Sequence, residues 1–265
     1  MKPAGARPVS VELRLLAYNV RSLRDDRAAL AGVIRACAPD VLCVQEAPRF
    51  PGWRLRAARL ARATGLAYVT GGAPACGTMI LAAPRATVER AQDVRLPVTP
   101  GLHRRGLAGA VLRFPGAAGG AGLAVLSCHL GLRAGERLRH APLLRERLAA
   151  LAREPDGRAL PGIVAGDLNE PLPGPVLRLL TGAAAREPAA GGPDGPLRDA
   201  WAAAPEGGAF TFPAAAPARR IDAVLCTPGI EVLGCGVPEG LPGLRAADLP
   251  RASDHLPVLA RLRVG

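Results

Sequence analysis

Pro161-Gly162-Ile163-Val164-Ala165-Gly166-Asp167-Leu168-Asn169 runs from an apolar strand into a polar turn. Ile163-Val164-Ala165 reads as a buried strand, and the glycine after it permits a tight turn or close approach by a ligand. Positions two apart share one side of an extended chain, so the Asp167 carboxylate and the Asn169 amide can face a single target. Taken alone, the same four residues serve equally well as an Asx turn capping the next helix.

The pattern recurs along the chain. Apolar runs end at Tyr18-Asn19, Gln45-Glu46 and Cys128-His129-Leu130, and further polar signatures stand at Arg220-Ile221-Asp222 and Ser253-Asp254-His255, each beside a strand. Carboxylates, amides and imidazoles at strand ends are costly to desolvate unless they bind something, so their repetition points to one shared site.

Between these signatures the periodicity alternates between strand and helix. Val11 to Tyr18 reads as a strand, and Asp25 or Asp26 can cap a helix over Arg27 to Ala38 with Leu30, Val33, Ile34 and Cys37 on one face. Val41 to Val44 is a short buried strand, and a basic helix follows over Trp53 to Thr64. From Leu66 to Phe114, short apolar segments separated by Gly and Pro read as consecutive antiparallel strands. Leu123 to Cys128 is a strand, Glu136 to Leu151 an amphipathic helix, and Ile221 to Cys226 and Pro257 to Val264 the last strands. Gly182 to Pro196 and Ala203 to Arg219, rich in Ala, Gly and Pro, read as surface loops. The 265 residues show no internal repeat and no linker, so one domain is expected over 1–265.

The formal net charge is +12, but Lys2 is the sole lysine among 34 basic residues. Abundant Arg, Ala, Gly and Pro together indicate a coding bias that raises arginine everywhere, so the charge attracts phosphate without singling out nucleic acid. Aromatic residues make up 3%, too few for a platform that stacks single-stranded bases. The six cysteines form no C-x-x-C pair and read as buried free thiols. No apolar stretch is long enough to span a bilayer, and the N-terminus lacks a signal-peptide apolar block, so a cytoplasmic location is the expectation.

The chemistry follows from the residue types. Mg²⁺ takes oxygen ligands from one or two carboxylates together with substrate phosphate, a demand met by an acidic cluster in a basic protein. Glu46 and Asp254 are candidate ligands. Asp222 can hydrogen-bond His255 and favour its cation, which then binds a phosphoryl oxygen. His129 is a second imidazole at a strand end, whereas His103 and His140 lie in arginine-rich contexts that read as surface. Cys128 and His129 point to opposite faces and do not make a nucleophile pair.

Together, A-Y-N-V at Asn19, Q-E at Glu46, S-C-H-L at His129, G-D-L-N at Asp167, R-I-D at Asp222 and S-D-H-L-P-V at Asp254 and His255 resemble the endonuclease/exonuclease/phosphatase superfamily, the DNase I-like metallophosphoesterases. The motifs stand in the family's order over residues 15 to 260. The resemblance implies a four-layer α/β sandwich, two mixed β-sheets packed face to face with flanking helices. It implies Mg²⁺ or Mn²⁺ held by Glu46 with Asn19 and Asp254. Asp167 would orient or deprotonate water, Asn169 and His255 would bind the scissile phosphate, Asp222 would orient His255, and His129 would contact the phosphate or the leaving group. Arg49 and Arg220 are the candidate substrate-binding cations.

Three departures from the family pattern stand out: Arg21 in place of an aspartate usual in AP endonucleases, Pro48 two residues after Glu46, and no acid in Ala75 to Ala83 to pair with His129. These disfavour a DNA-repair endonuclease or a secreted DNase. The expected function is metal-dependent hydrolysis of a phosphodiester or phosphomonoester by in-line attack of water. A nuclease acting on DNA or RNA and a non-catalytic polyanion-binding module are the alternatives. Specificity is expected in Gly71 to Gly77, Thr99 to Arg105 and Pro205 to Arg219. The substrate is a phosphoester, nucleic acid included, no membrane span is expected, and a monomer is the default.

Overall fold

The computed structural model describes residues 10–116, 120–183 and 195–265. Two six-stranded mixed sheets pack face to face between helical layers. The first sheet has the order β11-β12-β1-β2-β4-β3, built from β1 (Val11–Asn19), β2 (Val41–Gln45), β3 (Ala67–Gly71), β4 (Met79–Ala82), β11 (Ile230–Gly236) and β12 (Val258–Val264). The second has the order β5-β6-β7-β8-β10-β9, from β5 (Thr87–Arg95), β6 (Gly106–Phe114), β7 (Ala121–His129), β8 (Gly162–Asp167), β9 (Arg198–Asp199) and β10 (Asp222–Cys226). This is the sandwich the motifs implied. No helix among the described residues is long and apolar enough to cross a membrane.

The central strands are apolar on both faces because each sheet is covered twice. Leu13, Leu15 and Ala17 of β1 enter the core between the sheets with Cys43, Ile80, Val125, Ile163, Ala165 and Val224. Leu16 and Tyr18 face the other way, toward helices α1 (Arg27–Cys37) and α2 (Trp53–Thr64). On the far side, α3 (Ala134–Ala152) and α4 (Pro175–Leu180) cover the second sheet through Leu144, Leu148, Val176 and Leu180. Two four-residue helices, α5 (Ala200–Ala203) and α6 (Leu249–Ala252), complete the count. Asp26 caps α1, accepting from the Ala28 and Ala29 amides.

Three readings are corrected. Leu66 to Phe114 is not one antiparallel meander: β3 pairs with β4 in the first sheet, β5 with β6 in the second, and the chain changes sheets between β4 and β5. The turn there carries Pro84, which has no N–H to donate to a continuing ladder. Strand β11 went unread because Gly234 and Gly236 break its pattern. Gly236 is required, since a Cβ there would meet the Glu206 backbone carbonyl, whereas one on Gly234 would meet only the movable Glu206 carboxylate. Third, Ala203 to Arg219 is not a loop confined to the surface. Thr211 is buried, and its hydroxyl accepts from the Ile221 and Asp222 amides at 3.2 and 3.4 Å. The other expected loop, Gly182 to Pro196, falls mostly on residues 184–194, outside the described residues.

Strand register places the site. His129 pairs with Asp167 and Asp167 with Asp222, so three side chains stand abreast across β7, β8 and β10, while Asn19 pairs with Gln45 across β1 and β2. All five lie an even number of residues from inter-sheet core positions, and period-two alternation therefore turns them into the open end of the inter-sheet space. Gly166 makes that arrangement possible: its φ is +145°, and a Cβ there would sit 2.0 Å from the Cys128 carbonyl oxygen. Gly166→Ala should therefore cost more than about 2 kcal/mol of folding stability; urea unfolding that shows a loss within 0.5 kcal/mol would contradict the close approach.

Candidate active site

Asp167 is the centre of the site. It is buried, its Oδ1 accepts from the Asn169 amide at 2.8 Å, and its Oδ2 accepts from Asn19 Nδ2 at 3.3 Å. The same Oδ2 lies 3.5 Å from His129 Nε2 and 3.8 Å from His255 Nε2. Burial, followed by the nearby Asp222 charge, raises its pKa, an effect that His255 and the amide donors only partly offset.

The two imidazoles are driven in opposite directions. Burial disfavours the cation of His255, but Asp222, whose Oδ2 lies 3.0 Å from Nδ1, outweighs burial and lifts the pKa to about 9. His129 has no such carboxylate on its far side. Burial, then Arg105 and His255, hold it well below the ordinary histidine range, so it is neutral. A neutral ring and a charged ring therefore flank one carboxylate. The Phe212 ring packs against His255 with centroids 4.8 Å apart.

Asn19 ties the first sheet into this group. Its Nδ2 lies 3.4 Å from Glu46 Oε1 and 3.5 Å from His255 Nε2, while Oδ1 accepts the Arg21 amide at 3.1 Å. The Ser253 hydroxyl donates to the Asn19 carbonyl at 2.7 Å, fastening the Ser253-Asp254-His255 segment to the end of β1. Asn169 donates through Nδ2 to the Leu130 carbonyl at 2.9 Å and keeps a second N–H free of that bond. Glu46 and Asn169 both hold left-handed backbone, with φ of +52° and +53°, as do Arg21, Ser22 and Leu23 beside them. Such conformations concentrate at functional sites because the surroundings must impose them.

A cleft of about 400 Å³ opens over these residues, lined by Glu46, Asp167, Asn169, Asp254, His129 and His255. The structure thus brings together nine of the ten predicted residues: these six and Arg49 at the cleft, with Asn19 and Asp222 supporting them from behind. Arg220 does not join them. It is buried, forms two bonds to Asp199 at 3.0 and 2.6 Å, and lies over the Trp201 ring 4.8 Å from its centroid. Its place in the R-I-D motif is structural, since the polarity of the guanidinium is satisfied where the β10 end meets α5.

Two metal expectations also change in detail. Asn19 presents its amide nitrogen to the carboxylates, its oxygen being held by the Arg21 N–H. Asp254 is paired with Arg21, Oδ2 to Nε at 3.2 Å. Glu46 and Asp254 both line the cleft, and carboxylate oxygens are the ligand type that Mg²⁺ and Mn²⁺ take. A second cluster, Asp167, Asp222 and His255, has ligand atoms within 4.8 Å of one another. There the His255–Asp222 hydrogen bond already uses the imidazole Nδ1 and one carboxylate oxygen.

Sequence reasoning missed part of the lining. Arg105, His103, Cys76 and Phe212 come from the three segments expected to carry specificity; Arg24, Ser22, Phe50 and Leu132 come from elsewhere. His103 is exposed as expected, but at the cleft mouth. His140 is not on the surface: it is buried in α3 with Nε2 3.0 Å from the Pro97 carbonyl. Its helical position two turns before Leu148 was the available signal.

A family model for the endonuclease/exonuclease/phosphatase family matches residues 16–255. The chain belongs to this family. Its fold is shared by the family protein from Bacteroides vulgatus, 17% identical, with a TM-score of 0.73 over 96% of this chain and 100% of that one. A mannosyl-6-phosphatase from Bacteroides thetaiotaomicron VPI-5482 is 19% identical, with a TM-score of 0.71 over 94% and 99%. ANGEL2, a 2',3'-cyclic phosphatase solved with adenosine-2',3'-vanadate, is 18% identical, with a TM-score of 0.67 over 98% and 99%. At these identities the likeness carries the fold alone. No curated protein matches the sequence.

Two outcomes test the geometry. In metal-free protein the His255 ring should titrate near pH 9 by NMR, and Asp222→Asn should bring it down toward 6.5 or below. Because the folded pKa is raised, this pair stabilises fully below about 6.5 and its contribution is lost as pH rises through about 9. Separately, Arg220→Met should destabilise by about 3–5 kcal/mol in thermal unfolding, since it leaves Asp199 buried and unpaired, with little change in KM. A raised KM in a stable variant would restore Arg220 as a substrate contact.

Proposed function

We propose that this protein is a divalent-metal-dependent phosphoesterase that hydrolyses its substrate by in-line attack of water. The observation that carries the reading is the single carboxylate, Asp167, held between a neutral and a charged imidazole beneath a cleft rimmed by Glu46 and Asp254. Family membership supports the reaction class.

Each residue contributes a definable part. Asp167, its pKa raised by burial, accepts a proton from water as the water oxygen bonds to phosphorus and the phosphorus–oxygen bond to the leaving group breaks. The His255 cation, oriented by Asp222, and the spare Asn169 N–H donate to the phosphoryl oxygens, where charge accumulates. Neutral His129 stands on the other side of Asp167, able to donate through Nε2 to the phosphate or to the leaving oxygen. Glu46, aided by Asp254 once Arg21 yields it, would hold a divalent cation that neutralises phosphoryl charge. Asn19 positions Glu46 and Asp167 relative to each other. Water-derived and leaving-group oxygens end on phosphate and alcohol, with the leaving oxygen taking its proton from solvent.

The test is a panel of nucleic acids, nucleotides, inositol phosphates, sugar phosphates and phospholipid head groups with Mg²⁺ and Mn²⁺. At least one phosphoester should turn over, EDTA should abolish turnover, and added metal should restore it. Asp167→Asn should lower kcat by about 10²–10⁴-fold. Turnover that survives chelation, or an Asp167→Asn variant as active as the parent, would refute the mechanism.

A further inference from the structure

Arg105 is the cleft residue whose position the mechanism has not used. It stands at the end of the Thr99 to Arg105 segment, immediately before β6, and its side chain lines the cleft beside His129 and Asp167. Its Nε is buried and has no hydrogen-bond partner, and among the described residues the guanidinium makes no hydrogen bond or ion pair. Asp167 and Glu136 act on it electrostatically, while burial pulls its pKa down. By contrast, Arg21 is committed to Asp25 and Asp254, and Arg49 reaches the Cys76 carbonyl at 3.5 Å.

A half-buried guanidinium with no hydrogen-bond partner carries a desolvation cost that the charges of Asp167, Glu136 and Glu46 offset only in part and that a bound anion would offset further. The planar fork of donors matches the oxygens of a phosphoryl group, and it lines the same cleft as Asp167 and His129. The remaining charges on the lining favour a strongly negative ligand. Arg24 and Arg49 join Arg105, and of the three lining carboxylates Asp254 is already paired with Arg21. A phosphomonoester is close to a dianion at neutral pH, whereas a diester is a monoanion, and attraction to a fixed cation scales with charge. The cleft, at about 400 Å³, has room for a phosphate and a sugar-sized group.

Resting on the phosphoesterase reading, we infer that Arg105 is a specificity-determining residue that clamps the terminal, dianionic phosphoryl group and directs the enzyme to small phosphomonoesters. It acts on the third non-bridging oxygen, which a monoester leaves free and a diester caps with a second substituent.

The experiment compares 4-nitrophenyl phosphate with bis(4-nitrophenyl) phosphate, which share a leaving group, in the wild type and in Arg105→Met and Arg105→Lys. Arg105→Met should lower kcat/KM for the monoester by about 100-fold and for the diester by less than about 10-fold, with Arg105→Lys recovering part of the monoester activity. Calorimetry with inorganic phosphate and dimethyl phosphate supplies a readout independent of turnover. The wild type should prefer inorganic phosphate, and Arg105→Met should lose that preference. An equal fall on both esters, or an unchanged phosphate preference, overturns the assignment. If Arg105→Met fails to fold by circular dichroism, Arg105→Lys and Arg105→Gln decide by the same ratio. A wild type that discriminates phosphate from dimethyl phosphate through Arg105 yet hydrolyses neither ester would defeat the phosphoesterase reading and leave the clamp standing; turnover with an unaltered ratio does the reverse.

Discussion

The Gln45–Ser127 hydrogen bond, 3.2 Å from Nε2 to Oγ, fixes the two sheets to each other directly beneath the site. Ser127 passes its own proton to the Val44 carbonyl at 3.0 Å, so the bridge runs from side chain to side chain and on into the opposite backbone. Everything above it depends on this alignment. Glu46 and Asn19 come from one sheet, and His129, Asp167 and Asp222 from the other. Apolar contacts between the sheets resist sliding only weakly, because they are non-directional, whereas a fully buried hydrogen bond fails if the partners move by an ångström.

Electrostatics then divides the labour among similar groups. His129 and His255 occupy mirror positions about Asp167 and differ in what lies behind them: a carboxylate for His255, and Arg105 with no matching acid for His129. Burial first, and then the Arg105 and His255 charges, keep the His129 ring neutral, and Ala75 to Ala83, as the sequence shows, supplies no acid to oppose them. Arg21, the other departure, has an equally local effect. It places a guanidinium on Asp254, and in the left-handed stretch that begins there the Ser22 amide bonds the Glu46 carbonyl at 2.8 Å.

Much of this was legible beforehand, for a physical reason. Residues at the ends of buried strands carry their polarity in a context where nothing else explains it, so Asn19, Glu46, His129, Asp167, Asp222 and His255 stood out against apolar runs. Helix α1 was equally plain, with its cap narrowed to Asp25 or Asp26, of which the structure uses Asp26. What escaped detection depends on side-chain destination rather than type. Arg105 and Arg220 look alike among 33 arginines, yet one faces the cleft without a partner and the other is spent on Asp199. The change of sheet after β4 was hidden because Gly and Pro punctuation marks a turn without saying which partner the next strand will choose. Thr211 was missed because a buried hydroxyl under Asp222 is written in the same small-residue composition as an exposed loop.

Strand β12 pairs with β1 from Val258 to Val264 against Ala17 to Val11, a separation in sequence of well over two hundred residues, and it sits in the middle of its sheet with β11 on its other edge. Asp254 and His255 immediately precede it. A chain emerging from the ribosome therefore has the carboxylate of Asp167 and the imidazole of His129 long before it can seat the imidazolium opposite them. Such distant pairings form late because loop closure must come first. The topology makes a complete site a property of the finished fold: until β12 is seated beside β1, the carboxylate of Asp167 lacks the imidazole of His255.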